Sequence, residues 1–135
     1  MYFLDTNIFL EYILEGEYFA ECGKILQAVE KKEINAVCSY FSINSICVFG
    51  AGHGKQKEIQ KLLEYIASLE NLFIANTTVP DNQKILGITL EAGLDFDDAL
   101  QYYIAKQAQC KAIITLDQDF KKTKINSLHP KEFKI

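Results

Sequence analysis

Acidic residues occur at three places in the chain where an apolar run or a helical pattern meets polar residues. They are Asp5, the group Asp95, Asp97 and Asp98, and the pair Asp117 and Asp119. Carboxylate oxygens are hard ligands that suit Mg²⁺ or Mn²⁺. Such ions activate water and stabilise the leaving oxygen of a phosphodiester. If the three places meet in space, with no catalytic histidine or cysteine beside them, they predict metal-assisted phosphodiester hydrolysis.

Each of these acids also has a purely structural explanation. Asp95 could cap the helix that follows it, with Asp98 at the third helical position, because acids in a first turn favour the helix dipole. Asp117 and Asp119 could be turn formers. For each acid taken singly, the structural explanation is better than a functional one. Together, however, like charges at one place repel and raise each other's pKa unless a cation neutralises them. The combination therefore favours a metal site.

The elements that would position these acids are strands alternating with helices. Short apolar runs predict strands over residues 2–4, 34–39, 72–75, 112–115 and 124–128. Helical spacing of apolar residues predicts helices that start after Asp5 and cover residues 17–32, 41–49, 56–69, 80–93 and 95–108. This alternation predicts an α/β protein with a mainly parallel sheet covered on both faces. Ligands collect beyond the carboxyl ends of such strands, where the acids stand.

Length and composition are those of one ordinary globular domain. The 135 residues are 49% apolar and 24% charged, and no repeat or linker divides them. We therefore predict a single domain over residues 1–135. No apolar run reaches the ~18 residues of a membrane span, and the N-terminus lacks a signal-peptide pattern, so we expect a cytoplasmic protein without membrane contact. The four cysteines show no metal-binding spacing and are expected to be reduced and buried.

The charge of the chain is not that of an obvious nucleic-acid-binding protein. The net charge is −4, and all 14 basic residues are lysines. Residues 121–135 hold five lysines against one glutamate, a local charge of +4, so the first 120 residues carry −8. Phosphate contacts require a cationic surface. The basic tail offers some of that surface, although a solvated surface segment explains it equally well.

The acids lie within three sequence motifs. These are Leu4-Asp5-Thr6-Asn7, Asp95-Phe96-Asp97-Asp98-Ala99-Leu100-Gln101 and Ile113-Ile114-Thr115-Leu116-Asp117-Gln118-Asp119-Phe120. In this order they resemble the PIN-domain family, which includes the toxins of VapBC-type toxin–antitoxin modules. The resemblance covers almost the whole chain. It implies a three-layer α/β/α sandwich and a Mg²⁺- or Mn²⁺-dependent endoribonuclease with RNA as substrate. An antitoxin protein and a second copy of the chain are the partners it implies.

The resemblance also assigns roles to residues. By that match, the metal ligands and catalytic groups are Asp5, Asp98 and Asp117. Supporting hydrogen bonds are implied for Asn7, Thr115 and Asp119, and further ligands for Asp95 or Asp97. Groups of this supporting kind commonly orient metal-binding carboxylates.

The sequence departs from the family pattern at Ser45. PIN proteins usually carry a glutamate in the helix after the second strand, six residues beyond a serine. Ser39 begins this pattern here, but Ser45 stands where the glutamate is expected. A hydroxyl is a poorer Mg²⁺ ligand than a carboxylate and adds no charge. Asn44, a neighbouring aspartate or a water could compensate; otherwise metal affinity and activity are reduced or lost.

Two other hypotheses stay open beside the ribonuclease. The first is a catalytically weakened PIN-like domain that acts by binding RNA or a protein partner, and Ser45 is the feature that motivates it. The second is a phosphoryl-transfer domain of the receiver or haloacid-dehalogenase kind. The stretch Asp5-Thr6-Asn7 disfavours it because the second aspartate of a D-x-D motif is missing.

Other signals outside the acids are weak. The glycine-rich residues 50–55 lack the spacing of a phosphate-binding loop and predict a connection between helices. His53 and His129 match no triad or metal pattern and are expected at the surface. Tyr102 could face the acids and stack a base, whereas Tyr103 is expected in the core.

Overall fold

The computed structural model describes residues 1–135 and contains a sheet of five parallel strands. The strands are β1 (Tyr2–Leu4), β2 (Ala36–Ser39), β3 (Leu72–Ala75), β4 (Ile113–Ile114) and β5 (Ser127–Leu128). Their order across the sheet is β3-β2-β1-β4-β5. From β1 the chain builds outward in one direction to β3 and later in the other direction to β5. The strand order therefore reverses between β1 and β4, which is the point where α/β sheets form a ligand crevice.

Six α-helices connect and cover the strands. They are α1 (Thr6–Ile13), α2 (Phe19–Glu30), α3 (Tyr40–Gly52), α4 (Gln56–Ser68), α5 (Val79–Ala92) and α6 (Phe96–Gln107). Two short 3₁₀ turns follow β4 and β5, at Gln118–Lys122 and Pro130–Glu132. No helix combines the length and apolar content that crossing a membrane requires.

The alternation of side chains along the strands builds two separate cores. Phe3 and Ile113 pack in a core with α5 and α6. Leu4 and Ile114, the next residue of each strand, pack in a core with α1 to α4 on the other face. All four side chains are fully buried, as expected for a parallel sheet covered on both sides. The three-layer α/β/α sandwich with a parallel central sheet is therefore confirmed.

The structure corrects the predicted end of α3. We predicted that the glycines from residue 50 onward interrupt the helix, but α3 continues to Gly52. A Cβ atom on Gly50 would lie 2.5 Å from Cγ1 of Ile59 in α4. Gly50 is therefore a close-packing residue between two helices, and the turn comes at Gly54, whose φ is +67°.

Three strands are shorter than the apolar runs that predicted them, and one of these, predicted over residues 112–115, contains only Ile113 and Ile114. The run over residues 34–39 forms a strand only from Ala36 to Ser39. The run over residues 124–128 forms one only at Ser127 and Leu128, because residues 123–125 form a bend. The four cysteines are free thiols, and burial raises the pKa of both Cys22 and Cys38 to about 12.

Candidate metal centre

A cleft lined by acids lies at the carboxyl edge of the sheet, beside the ends of β1 and β4. Its volume is about 240 Å³. Its walls include Asp5, Asn7, Ser45, Asp97, Asp98, Gln101 and Asp117, and we call it the acidic cleft. No lysine lines it, and the one ion pair in the protein joins Lys32 to Glu70 at the surface. The negative charge of the cleft is therefore not neutralised by the protein.

Asp5 ends β1 and is held by a hydrogen-bond network that reaches β4. Its side chain is 5% exposed, and Oδ2 accepts bonds from Thr115 Oγ1 at 2.6 Å and from Asn7 Nδ2 at 3.0 Å. Thr115 Oγ1 also accepts the backbone N–H of Asp117 at 2.8 Å, and Asn7 Oδ1 accepts that of Leu116 at 3.3 Å. Burial raises the pKa of Asp5, while the bond from Thr115 opposes this. The network fixes the Asp5 carboxylate beside the end of β4.

Asp98 comes from the first turn of α6. The residue is 6% exposed. Its pKa is raised to about 7, first by burial and then by the charges of Asp97, Asp117, Asp5 and Asp119. This environment disfavours the ionised carboxylate, and a bound divalent cation would favour it. A donor set made of carboxylate oxygens with excess negative charge fits a hard cation such as Mg²⁺ or Mn²⁺.

Two groups of three carboxylates have oxygens within 4.8 Å of one another, and Asp98 belongs to both. One group adds Asp117 and Asp119, and the other adds Asp95 and Asp97. Asp5 lies in the same cleft but in neither close group. Asp119, for which we predicted only a supporting role, has a carboxylate oxygen close to those of Asp98 and Asp117. Asp117 also accepts the backbone N–H of Asp119 at 2.9 Å, which starts the 3₁₀ turn.

The structural explanation for the acids of α6 holds only in part. Asp95 occupies the N-cap position, but its side chain makes no capping hydrogen bond, and it is exposed. Asp97 lines the acidic cleft. Ser45 also lines the cleft, and its hydroxyl donates to the carbonyl oxygen of Phe41 at 2.9 Å. The hydroxyl proton of Ser45 is thus used within its own helix.

Sequence reasoning did not select Gln101, which lines the acidic cleft and is only 3% exposed. Its Oε1 atom is buried without a hydrogen-bond partner. The available signal was its position three residues after Asp98, because residues three apart share a helix face. Sequence reasoning also missed a short chain of hydroxyls, in which Thr6 donates to Ser42 at 2.8 Å and Ser42 lies 2.9 Å from Ser39. These bonds join the starts of α1 and α3.

A second, wider depression of about 540 Å³ lies between α5, α6 and the segment after β4. Tyr102, Lys106, Lys122 and Lys124 are among its walls, and we call it the basic groove. Nζ of Lys106 lies 5.9 Å from the centre of the Tyr102 ring. The structure therefore places Tyr102 in this groove and not in the acidic cleft. Tyr103 is half-buried in the same wall and donates its hydroxyl to Asp81 at 2.7 Å.

Comparison with known proteins gives a family match over most of the chain. A family model described as PIN domain matches residues 1–119. No sequence among curated proteins matches the chain.

Several solved structures share the fold at low sequence identity. VapC20 of Mycobacterium tuberculosis, described as a sarcin–ricin-loop-cleaving toxin, has a TM-score of 0.76 at 9% identity and covers 93% of this chain and 96% of its own. VapBC2 of Rickettsia felis, bound to a DNA fragment from its promoter, has a TM-score of 0.70 at 17% identity over 94% and 96%. FitAcB of Neisseria gonorrhoeae has a TM-score of 0.70 at 16% identity over 98% and 100%. These likenesses show the fold.

Proposed function

The chain belongs to the PIN-domain family, and on that premise we propose that it is a Mg²⁺- or Mn²⁺-dependent endoribonuclease. The observation that carries the proposal is the acidic cleft, where four acids and no lysine meet at the point of reversed strand order. Acids arranged without cations on the protein favour a divalent ion as their partner. The sarcin–ricin-loop-cleaving toxin with the same fold supports RNA as the substrate.

In this proposal Asp5, Asp98 and Asp117 hold the ion. When bound, the ion supplies Lewis-acid chemistry for hydrolysis of a phosphodiester. Thr115 and Asn7 orient the Asp5 carboxylate through the bonds that join β1 to β4. Asp119, Asp97 and Asp95 add negative charge around Asp98, and Asp119 is close enough to add a ligand oxygen.

The substrate strand would be held by lysines that lie beyond the acids. Lys106 is two turns after Asp98 on α6, and Lys122 follows Asp119 by three residues. Both line the basic groove together with Tyr102. Lysines neutralise phosphates, and an aromatic ring beside them can stack a base. The basic groove thus supports an RNA strand that continues from the acidic cleft.

We test the site with single carboxylate-to-amide variants. Asp5→Asn, Asp98→Asn and Asp117→Asn should each reduce Mn²⁺-dependent cleavage of short single-stranded RNA by at least about 100-fold, because each removes a charged ligand. Mn²⁺ should also raise their melting temperatures less than that of the unsubstituted protein. Glu64→Gln, an exposed change on α4, is the control and should cleave normally. Cleavage by Asp5→Asn at the normal rate would reject the assignment.

A catalytically weakened domain that acts by binding is the second candidate, and Ser45 favours it. The hydroxyl is bonded to the Phe41 carbonyl and supplies no charge to the cleft. Ser45→Glu should tighten Mn²⁺ binding and raise cleavage if only that ligand limits the reaction. The binding role is favoured if the unsubstituted protein binds RNA tightly without cleaving it and Ser45→Glu does not raise the cleavage rate. The comparison needs cleavage rates, Mn²⁺ titrations and RNA-binding affinities of the two proteins.

We further propose a cytoplasmic protein whose residues 1–135 form one domain, with an antitoxin protein and a second copy of the chain as partners. Solved toxin–antitoxin assemblies of the same fold support the partners. An apolar stripe on α5 also supports a protein interface. Val79, Leu86 and Leu90 are 77%, 55% and 88% exposed, respectively, and contiguous exposed apolar surface is typical of interaction sites.

A further inference from the structure

Gln101 is a buried polar side chain of α6 that lies between the apolar core and the acidic cleft. Leu100 and Ile104, its neighbours on α6, are both buried in the core that α5 and α6 share. Gln101 instead lines the acidic cleft with Asp98, one turn before it on the same helix face. A glutamine is rarely buried unless its polar atoms are satisfied. We therefore expect the polar atoms of Gln101 to have a binding partner in the cleft.

The Gln101 side chain lines the same cleft as Asp5, Asp98 and Asp117. Its carbonyl oxygen Oε1 is buried and has no hydrogen-bond partner in the protein. Carboxylates accept hydrogen bonds, so they attract the amide group of a glutamine and offer nothing to its carbonyl oxygen. Oε1 is therefore the end of the carboxamide that the residues of the cleft leave without a partner.

The same cleft lacks the acid that the family pattern places at residue 45. The Ser45 hydroxyl donates to the Phe41 carbonyl oxygen. The cleft thus lacks a carboxylate at one position where the family has a metal ligand, and the Gln101 side chain in its wall has a buried oxygen without a hydrogen-bond partner. An amide carbonyl oxygen is a suitable ligand for a hard divalent cation. It also adds no further negative charge to acids that already repel one another.

We propose that Gln101 is a ligand of the divalent ion in the acidic cleft and supplies, through Oε1, the oxygen that Ser45 does not. This inference rests on the proposed function, since it concerns the same ion. The acids around Gln101 attract its amide group and would orient the carboxamide, as polar neighbours orient other metal ligands. The sequence difference at residue 45 is then compensated by a neutral ligand from α6.

The test compares Mn²⁺ binding and metal-free stability of the unsubstituted protein and Gln101→Leu. Mn²⁺ affinity, measured by calorimetry or by the EPR signal of free Mn²⁺, should fall about 10- to 100-fold in the variant. The melting temperature in EDTA should stay the same or rise, because leucine removes a buried oxygen that has no partner. A lower melting temperature in EDTA with unchanged Mn²⁺ affinity would show a structural role and overturn the proposal.

A matched control separates the ligand from its surroundings. Gln107→Leu makes the same substitution at an exposed position of α6 and should keep the normal Mn²⁺ affinity. If Gln101→Leu does not fold, Gln101→Asn retracts the carbonyl oxygen by one methylene and should weaken Mn²⁺ binding; normal binding by Gln101→Asn would then overturn the proposal.

The outcomes also separate this inference from the proposed function. An unsubstituted protein that binds no Mn²⁺ would reject both, because no ion would be present for Gln101. Normal Mn²⁺ binding that Gln101→Leu leaves unchanged would reject only the role of Gln101. The expected pattern is a loss of Mn²⁺ affinity confined to Gln101 variants and to variants of the cleft acids.

Discussion

The side chains of the acidic cleft are arranged at a cost to the stability of the metal-free protein. Asp5 and Asp98 are almost fully buried, and burial raises the pKa of each. No lysine is paired with either of them. A divalent ion would relieve both the burial penalty and the repulsion between the acids, so metal binding and folding should be coupled.

The pH dependence of stability follows from Asp98, whose pKa is about 7 in the folded protein and about 3.9 when unfolded. Between these values the folded state binds more protons than the unfolded state. The stability due to Asp98 is thus fully present below about pH 4 and is lost as the pH rises through about 7. In EDTA, the unsubstituted protein should therefore lose stability relative to Asp98→Asn between pH 5 and pH 8. Urea unfolding at both values measures the difference.

If Asp98 holds the ion as proposed, protons and Mn²⁺ compete for its carboxylate, so Mn²⁺ should bind more weakly at pH 6 than at pH 8. Glu64→Gln serves again as the control and should show the same pH dependence as the unsubstituted protein. A stability difference between the protein and Asp98→Asn that does not change with pH would contradict the raised pKa.

The residues of the cleft differ in how well they can be predicted from the sequence. Asp5 and Asp117 each stand just beyond a strand, and Asp98 stands at a helix start, so an alternating α/β pattern is enough to bring them to one edge. Gln101 follows a helical pattern in which glutamine is usually exposed. Its burial depends on the packing of α6 against β1, which local sequence does not specify.

At the scale of elements, the contact between α3 and α4 depends on the absence of a side chain at Gly50. Glycine is unfavourable in a helix interior, so a prediction from the local sequence ends the helix at this residue. The structure continues the helix because Ile59 of α4 occupies the space that a Cβ would take. Strand and helix types were predictable from apolar spacing, whereas this boundary was set by a tertiary contact.

A matched pair of glycine substitutions tests this contact. Gly50→Ala should lower the free energy of unfolding by about 1–3 kcal/mol, because its Cβ would overlap the stiff, β-branched side chain of Ile59. Gly52→Ala, in the same helix with nothing within 4 Å of its Cβ position, should raise it by up to about 1 kcal/mol. Urea unfolding of both variants measures the difference. A stabilised Gly50→Ala would show that α3 and α4 are not closely packed there.

Over the whole molecule, an acidic and a basic set of side chains line two separate depressions. The chain carries a net charge of −4, and its acidic cleft would repel a nucleic acid in the absence of an ion. The basic groove holds Lys106, Lys122 and Lys124 and shares no wall residue with that cleft. Composition alone disfavoured nucleic-acid binding, because an average over the chain does not show where the lysines lie.

The salt dependence of RNA binding tests the basic groove. In the Asp5→Asn protein, which we expect to bind without cutting, replacing Lys106, Lys122 and Lys124 by glutamine should weaken binding. It should also reduce the slope of log affinity against log salt by about 2, since each phosphate contact with a single strand contributes about 0.7. As the control, Lys55, Lys57 and Lys61, which lie at α4 on the other side of the sheet, are replaced in the same way. An equal effect of both triple variants would reject a specific groove.

The central position of β1 has a consequence for the order of events as the chain is made. β1 is made before the other four strands of its sheet, yet its second neighbour, β4, is formed by residues 113 and 114. Until that late segment is available, Asp5 lacks Thr115, which comes from the end of β4. Pairing over such a sequence distance is slow compared with local helix formation. A partly synthesised chain without β4 would therefore keep Asp5 apart from Asp117, and the acidic cleft would form only in the step that pairs β4 with β1.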